Sequence, residues 1–311
     1  MIDIGLVVAR FLHYAACTTL AGVAFFPLYA YVGAEPEALA RWRHKLLLWS
    51  AVVALIGGIF WFVFTVANMS GALADLGDPD VIMSVMRDTN FGIVWTARMI
   101  VAAALVAVTF SQNSSRRWVG RNQVTAMLAA GLLATLAGVG HSVVEEGWFG
   151  RLHIISDGAH LLAAGAWLGG LAPLGFMLLS FAGKASGHGG VDVDEVLMRF
   201  SGMGYAAVAT LVSTGLVNSW LLVGSVSSLI GSVYGWILIA KLVFFAGMLA
   251  LAAANRFWLV PLLEASRRGG SGASDVWRRR LRIHVLSEQG LGLLVLLSVS
   301  VLGTIRPAIG Q

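Results

Sequence analysis

The sequence predicts an all-α fold, a polytopic membrane bundle of about eight transmembrane helices, and three observations carry that prediction. Of 311 residues, 58% are hydrophobic and only 12% charged, whereas roughly a quarter of a soluble domain is charged. Apolar runs long enough to cross the hydrocarbon core, which takes about 20 helical residues, recur eight times. The charges sit between those runs, so lipid is the solvent for most of the chain. The same arithmetic excludes disorder, coiled coil and collagen, and the single cysteine, Cys17, has no partner for an intrachain disulfide. The formal net charge of +5 reflects orientation in the bilayer rather than nucleic-acid binding, because Lys and Arg flank the apolar runs.

The expected spans are 5–32, 46–69, 91–111, 124–144, 153–181, 197–223, 234–262 and 284–305. Span 1 follows Met1-Ile2-Asp3 without the positive region of a secretory signal and is too long for one, so it is expected to be retained as a helix. Span 2 follows the basic stretch Arg41, Arg43 and Lys45. The loop 70–90 then holds Met83 and Met86, expected to serve as packing rather than as thioether ligands. Span 3 opens on Phe91-Gly92 and contains Arg98. Span 4 ends at Gly140-His141, and the short loop from Glu145 to Leu152 makes it an antiparallel neighbour of span 5. Span 6 carries Asn218, span 7 Lys241, and span 8 Glu288 near its inner end, where pairing with Arg256 or an arginine of the loop 264–283 is expected.

Arg41, Arg43, Lys45, Arg116, Arg117, Arg121, Lys184 and the arginines of 267–282 fall on one side, while Arg87, Arg151, Arg306 and most loop acids fall on the other. The positive-inside rule makes the first side cytoplasmic and puts both termini outside. Residues 1–311 therefore read as a single integral membrane domain. Within it, span 1 aligns with span 5: His13 falls on His160, and Gly22 and Gly169 each follow nine residues later. Span 3 aligns with span 7, Phe91-Gly92 and Arg98 falling on Tyr234-Gly235 and Lys241. The expectation is a four-plus-four parallel repeat with halves 1–150 and 151–311.

Ionisable groups inside a bilayer are costly, about 2.5–3.5 kcal/mol at the centre, and are therefore candidates for function. Arg10, His13, Asn68, Arg98, His141, Asp157, His160, Asn218 and Lys241 all fall in the expected outer half. His153, Asp157 and His160 share one face of span 5, at i, i+4 and i+7, and Arg10, His13 and Cys17 form a similar stripe on span 1. Imidazoles suit copper and other borderline metals, a carboxylate can ligate or orient an imidazole, and a thiolate suits Cu(I). His13, His141, Asp157 and His160 are the candidate metal ligands, in one outward-facing site between spans 1, 4 and 5. Cys17, His153, Trp167, Arg98, Asn218 and Lys241 are accessory candidates: Cys17 is otherwise a small buried hydrophobe, His153 is expected to be solvated at the lipid boundary, Trp167 to wall the site or simply to pack, and Arg98 or Lys241 to neutralise Asp157 or hold an anionic ligand. No catalytic residue is assigned and no enzyme activity is expected.

Several of these residues carry a resemblance. Arg10-Phe11-Leu12-His13, Gly140-His141, Asp157-x2-His160 and Ala166-Trp167-Leu168-Gly169-Gly170-Leu171 are similar to the CopD/PcoD family of bacterial inner-membrane copper proteins. Arg199-Phe200-Ser201, Gly215-x2-Asn218, Tyr234-Gly235-x5-Lys241, Asn255-Arg256 and Glu288 resemble the family's carboxy-terminal domain, here 195–305. The resemblance implies copper homeostasis or resistance, with transport of Cu+ or Cu2+ from periplasm towards cytoplasm, and a periplasmic CopC-like protein as partner. Some members carry a fused CopC-like domain that these residues do not include, so the donor is expected to be a separate protein. It also implies metal contact at His13, His141, Asp157 and His160. The alternative reading is an electron-transfer protein, since two histidines on different helices can ligate haem b.

Overall fold

A computed structural model of the chain describes residues 2–33, 35–111, 120–139, 147–180, 193–223, 225–268 and 274–307. Among these, all regular structure is helical. The first half comprises α1 (Ile2–Tyr29), α2 (Glu37–Ser70), α3 (Pro79–Asp88), α4 (Asn90–Ser111) and α5 (Arg121–Ala134). The second comprises α6 (Gly147–Ala164), α7 (Leu171–Ser180), α8 (Val193–Val223), α9 (Val226–Gly231), α10 (Val233–Ala254), α11 (Val260–Arg268) and α12 (Ser274–Leu302). One π-helical turn, Gly165–Gly169, joins α6 to α7, and another, Asn255–Leu259, joins α10 to α11.

Seven helices among the described residues are long and apolar enough to cross a membrane. The described part of the expected fourth span is α5, 14 residues long, continued by the 3₁₀ turn Thr135–Val139. Its expected end, His141 included, lies outside the described residues. Ile4, Ile56, Phe60, Ile100, Leu216, Trp220 and Val243 are exposed on the rim, an apolar surface that suits lipid and that water would drive to aggregate. Arg10 of α1 donates to the Gly303 carbonyl beyond α12, which puts the start and the end of the described chain at one end of the bundle.

Two apolar cores fill the bundle, one in the first half around Leu20, Leu47, Leu105 and Leu132, the other mainly in the second half around Leu171, Phe200 and Leu281, with Phe26 of α1 packed into it. The halves meet where α1 crosses the π turn after α6. A Cβ on Gly22 would lie 2.2 Å from the Gly169 carbonyl carbon, and one on Gly169 would lie 2.2 Å from the Thr18 oxygen. Only glycine permits that approach of backbones. The π turn leaves the Ala166 carbonyl to accept from the Tyr29 hydroxyl at 3.3 Å, so a polar group freed by the wider winding still finds a donor.

Two short helices on the terminus-bearing side repeat one another. Before α4, Thr89 Oγ1 donates to the Val85 carbonyl and accepts from Gly92 N at 3.0 Å. Before α10, Ser232 Oγ donates to the Ser228 carbonyl and accepts from Gly235 N at 3.0 Å. Both hydroxyls satisfy an orphan amide of a helix start. In both places the third residue on must be glycine, because a Cβ would meet the Val85 oxygen at 2.2 Å or the Leu229 oxygen at 1.8 Å.

Candidate functional site

The first-half site is built by α1 lying on α2. Gly57 and Gly58 remove the side chains that would meet His13, whose amide nitrogen is 3.2 Å from where a Gly57 Cβ would sit. The imidazole is fully buried and its Nδ1 lies 2.8 Å from the Ala54 carbonyl. A carbonyl can only accept, so Nδ1 carries the proton and Nε2 presents its lone pair. That lone pair faces Cys17 Sγ at 3.5 Å, one helical turn along α1.

Beside them Trp61 lies between two guanidiniums, Arg98 at 4.8 Å and Arg10 at 5.2 Å from its ring centre. Trp61 therefore offers its π face to both cations. Arg98 is fully buried. Its Nε donates to Thr135 Oγ1 at 2.9 Å and Nη2 to the Thr135 carbonyl at 2.8 Å. It thereby caps the carbonyl end of α5, the negative end of the helix dipole. Arg98 and His13 interact electrostatically. Arg98 therefore serves the first half and does not neutralise Asp157.

The second-half site is built by α6 against α8, antiparallel. His160 Nδ1 lies 2.9 Å from Thr214 Oγ1. The Thr214 hydroxyl donates its one proton to the Thr210 carbonyl at 2.6 Å, so it accepts from the imidazole, and His160, like His13, presents the Nε2 lone pair. One turn along the pair, Asn218 Nδ2 donates to Asp157 Oδ1 at 2.5 Å while its carbonyl accepts from Ser156 Oγ at 3.0 Å. Asp157 interacts electrostatically with His153 and Lys241, and Lys241 interacts with His160. Each histidine thus interacts electrostatically with a cation, His13 with Arg98 and His160 with Lys241.

The candidate residues divide between these two places. Asp157, His160, His153, Asn218 and Lys241 gather in the second half; His13, Cys17 and Arg98 gather in the first. Among the described residues, no three His, Cys, Asp or Glu side chains stand close enough to hold one metal ion, and His141 lies outside those residues. His153 is buried, not solvated: α6 begins at Gly147, six residues before the expected span, so this ring sits inside the bundle. Trp167 is buried beside Phe245 and lines a cavity that His160 does not line.

Glu288 Oε1 accepts from the Asn255 amide at 2.6 Å, and among the described residues no arginine is ion-paired with it. Thr214, Ala54, Trp61 and Thr135 were not among the sequence candidates. The regular spacing of His160 and Asp157 offered a route to Thr214, because an antiparallel partner that binds position 157 through Asn218 presents a side chain four residues earlier to position 160.

Comparison with known proteins agrees with this architecture. Residues 1–152 match the family model described as "Copper resistance protein D-like, N-terminal domain", and residues 194–302 match "Copper resistance protein D". The chain is 34% identical over 306 residues to copper resistance protein D of Pseudomonas syringae pv. tomato, covering 97% of this chain and 96% of that one. It is 27% identical over 298 residues to the inner membrane protein YebZ of Escherichia coli K12, covering 96% and 97%. Similarity to the copper transport protein CutJ of Bacillus subtilis 168 is 29% over 249 residues, 79% of this chain but 45% of CutJ. No solved structure matches the chain significantly. A helical membrane bundle matched from end to end by a copper resistance protein belongs to the copper resistance protein D family.

Proposed function

We propose that this protein moves copper across the bacterial inner membrane, taking the ion from the periplasmic side. The observation that carries this reading is the matched pair of imidazoles. His13 and His160 each have Nδ1 held by an oxygen acceptor and Nε2 left as a lone pair, the arrangement in which an outer partner fixes the tautomer of a metal-binding histidine. In this reading His160 Nε2, the Asp157 carboxylate and His141 receive copper, and His13 with Cys17 offers a second, softer pair suited to Cu(I). An arriving ion competes with Lys241 for Asp157. Both termini then face the periplasm, where a CopC-like donor is the proposed partner.

The two halves are read as a tandem repeat. The matched Thr89 and Ser232 caps, and the contact of Gly22 with Gly169, support a pseudo-twofold relation in which equivalent residues meet at the axis. Along helices rising about 1.5 Å per residue, His13 and His160 then lie at equal depth, nine residues from the crossing.

Thr214→Val keeps the shape of the hydroxyl-bearing side chain and removes the acceptor for His160. It is expected to lower copper affinity by about 10- to 100-fold, read by titration of the purified protein against a copper chelator of known strength. Affinity equal to the parent's would sink the assigned role of His160. Visible absorption of the same sample tests the haem reading, which requires a Soret band from ligation by His13 and His160; copper by elemental analysis with no such band favours transport.

A further inference from the structure

The second half of the chain contains a cavity of about 190 Å³ that neither Asp157 nor His160 lines. Its walls are largely aromatic and aliphatic, with Trp167, Phe200 and Leu281 among them, and it lies between α8 and the π turn that joins α10 to α11. Glu288 of α12 lines it and is 2% exposed. Asn255, in the π turn, donates from Nδ2 to Glu288 Oε1 at 2.6 Å, and its Oδ1 accepts from His284 Nδ1 at 2.9 Å. His284, one turn back along α12, is only partly buried. A chain of polar contacts therefore runs from a buried carboxyl group towards the end of the bundle that carries the arginine-rich segment.

No Lys or Arg nitrogen of the described residues lies within 4.0 Å of Glu288. The charged and titratable groups facing the cavity are Arg256 from the π turn and Tyr205 from α8; α7 contributes only Leu171 and Leu174, and α10 only Leu249, Ala252 and Ala253. An ionised carboxylate in low dielectric without a close cation is costly, and a proton removes that charge. Apart from the Arg256 guanidinium, the polar side chains lining it carry oxygens, from Glu288, Ser201, Tyr205 and Asn255, a set that suits a proton or a hard cation better than copper. The π turn gives a reason for the cavity, since one wide turn displaces the following helix and moves Asn255 towards α12.

We infer that Glu288 is a proton-exchange site in the inner half of the bundle, loaded and unloaded through this cavity. The step is a single protonation: the carboxylate takes one proton from hydronium arriving through the cavity, leaving water, and returns it to water on the way out, with Asn255 holding the group in place in both states. Its use as the coupling ion of copper movement rests on the transport reading above. The protonation itself does not, and it is measured without copper.

The experiment is pH-difference infrared spectroscopy on the copper-free, full-length protein. Acidification is expected to produce the C=O stretch of a protonated carboxyl group, shifted in D2O, and that band is expected to be lost in E288Q. E288D keeps a carboxyl group and should return the band at a displaced frequency, which covers a failure of E288Q to fold. Gly204→Leu fills the cavity from α8, where an added Cβ meets nothing within 4 Å, and should slow deuterium exchange of the band while leaving it present. A difference spectrum of folded E288Q that superimposes on the parent's overturns the assignment, as does a Glu288 band that never changes with pH.

Discussion

His160→Ala is expected to reduce copper affinity by more than the roughly 10- to 100-fold attached to loss of an outer partner, and to abolish copper uptake into proteoliposomes. The substitution removes the Nε2 lone pair and leaves the Thr214 hydroxyl still bonded to the Thr210 carbonyl, so no buried donor is stranded on α8. His160 is only partly buried and its ring meets Gly215 of α8 in ordinary contact, 3.7 Å from the position of an added Cβ. The bundle is therefore expected to fold and insert, which gel filtration in detergent checks. Asp157→Asn separates charge from geometry: it keeps an oxygen for Asn218 and removes the negative charge that faces Lys241. It should weaken binding as well, with the uncompensated lysine repelling the ion. Parental copper affinity and uptake in the folded His160→Ala protein would remove this site from the mechanism.

The stripe on which that prediction stands was readable from spacing alone, because His153, Asp157 and His160 repeat at helical intervals and a bilayer penalises ionisable groups that do nothing. What lies opposite was less readable. Thr214 is one of many Ser and Thr residues in this chain that bond the carbonyl one turn back, as Thr210, Ser213 and Ser201 also do, and nothing local marks the one whose oxygen also accepts from a histidine. Spacing alone puts His13 and His160 at one depth on neighbouring spans, and so in one site. Their directions depend on which side of α1 meets α2, and the pair Gly57-Gly58 that decides it lies far away in sequence. The boundary of span 5 is set by hydropathy, whereas α6 starts at Gly147, through Gly147, Gly150 and Arg151, which hydropathy counts against a span. The π turns are equally hidden: the winding at Gly165–Gly169 goes with Tyr29 reaching the Ala166 carbonyl, a partner 137 positions away.

The alignment of Gly22 with Gly169 was visible in the sequence, and the structure turns that alignment into a contact with a large expected effect. Gly169→Leu would place a Cβ 2.2 Å from the Thr18 oxygen and 2.9 Å from the Gly22 Cα. Those atoms are backbone, so no side-chain rotation relieves the overlap and α1 must move away from the π turn. Overpacking typically costs 1–3 kcal/mol where side chains can shift; against backbone on both sides the expected loss is about 4 kcal/mol or more, a large share of the roughly 5–15 kcal/mol that holds a folded domain. Gly22→Leu should do the same from the opposite helix, since its Cβ would lie 2.2 Å from the Gly169 carbonyl carbon. Gly131→Ala on α5 is the control: an added Cβ there meets nothing within 4 Å, and the change should stay within about 1 kcal/mol. Thermal unfolding in detergent, followed by the loss of the monodisperse peak, distinguishes the three. If Gly169→Leu melts with the parent, α1 and the π turn do not cross at these glycines, and the equal depth of His13 and His160 that follows from the crossing fails with it.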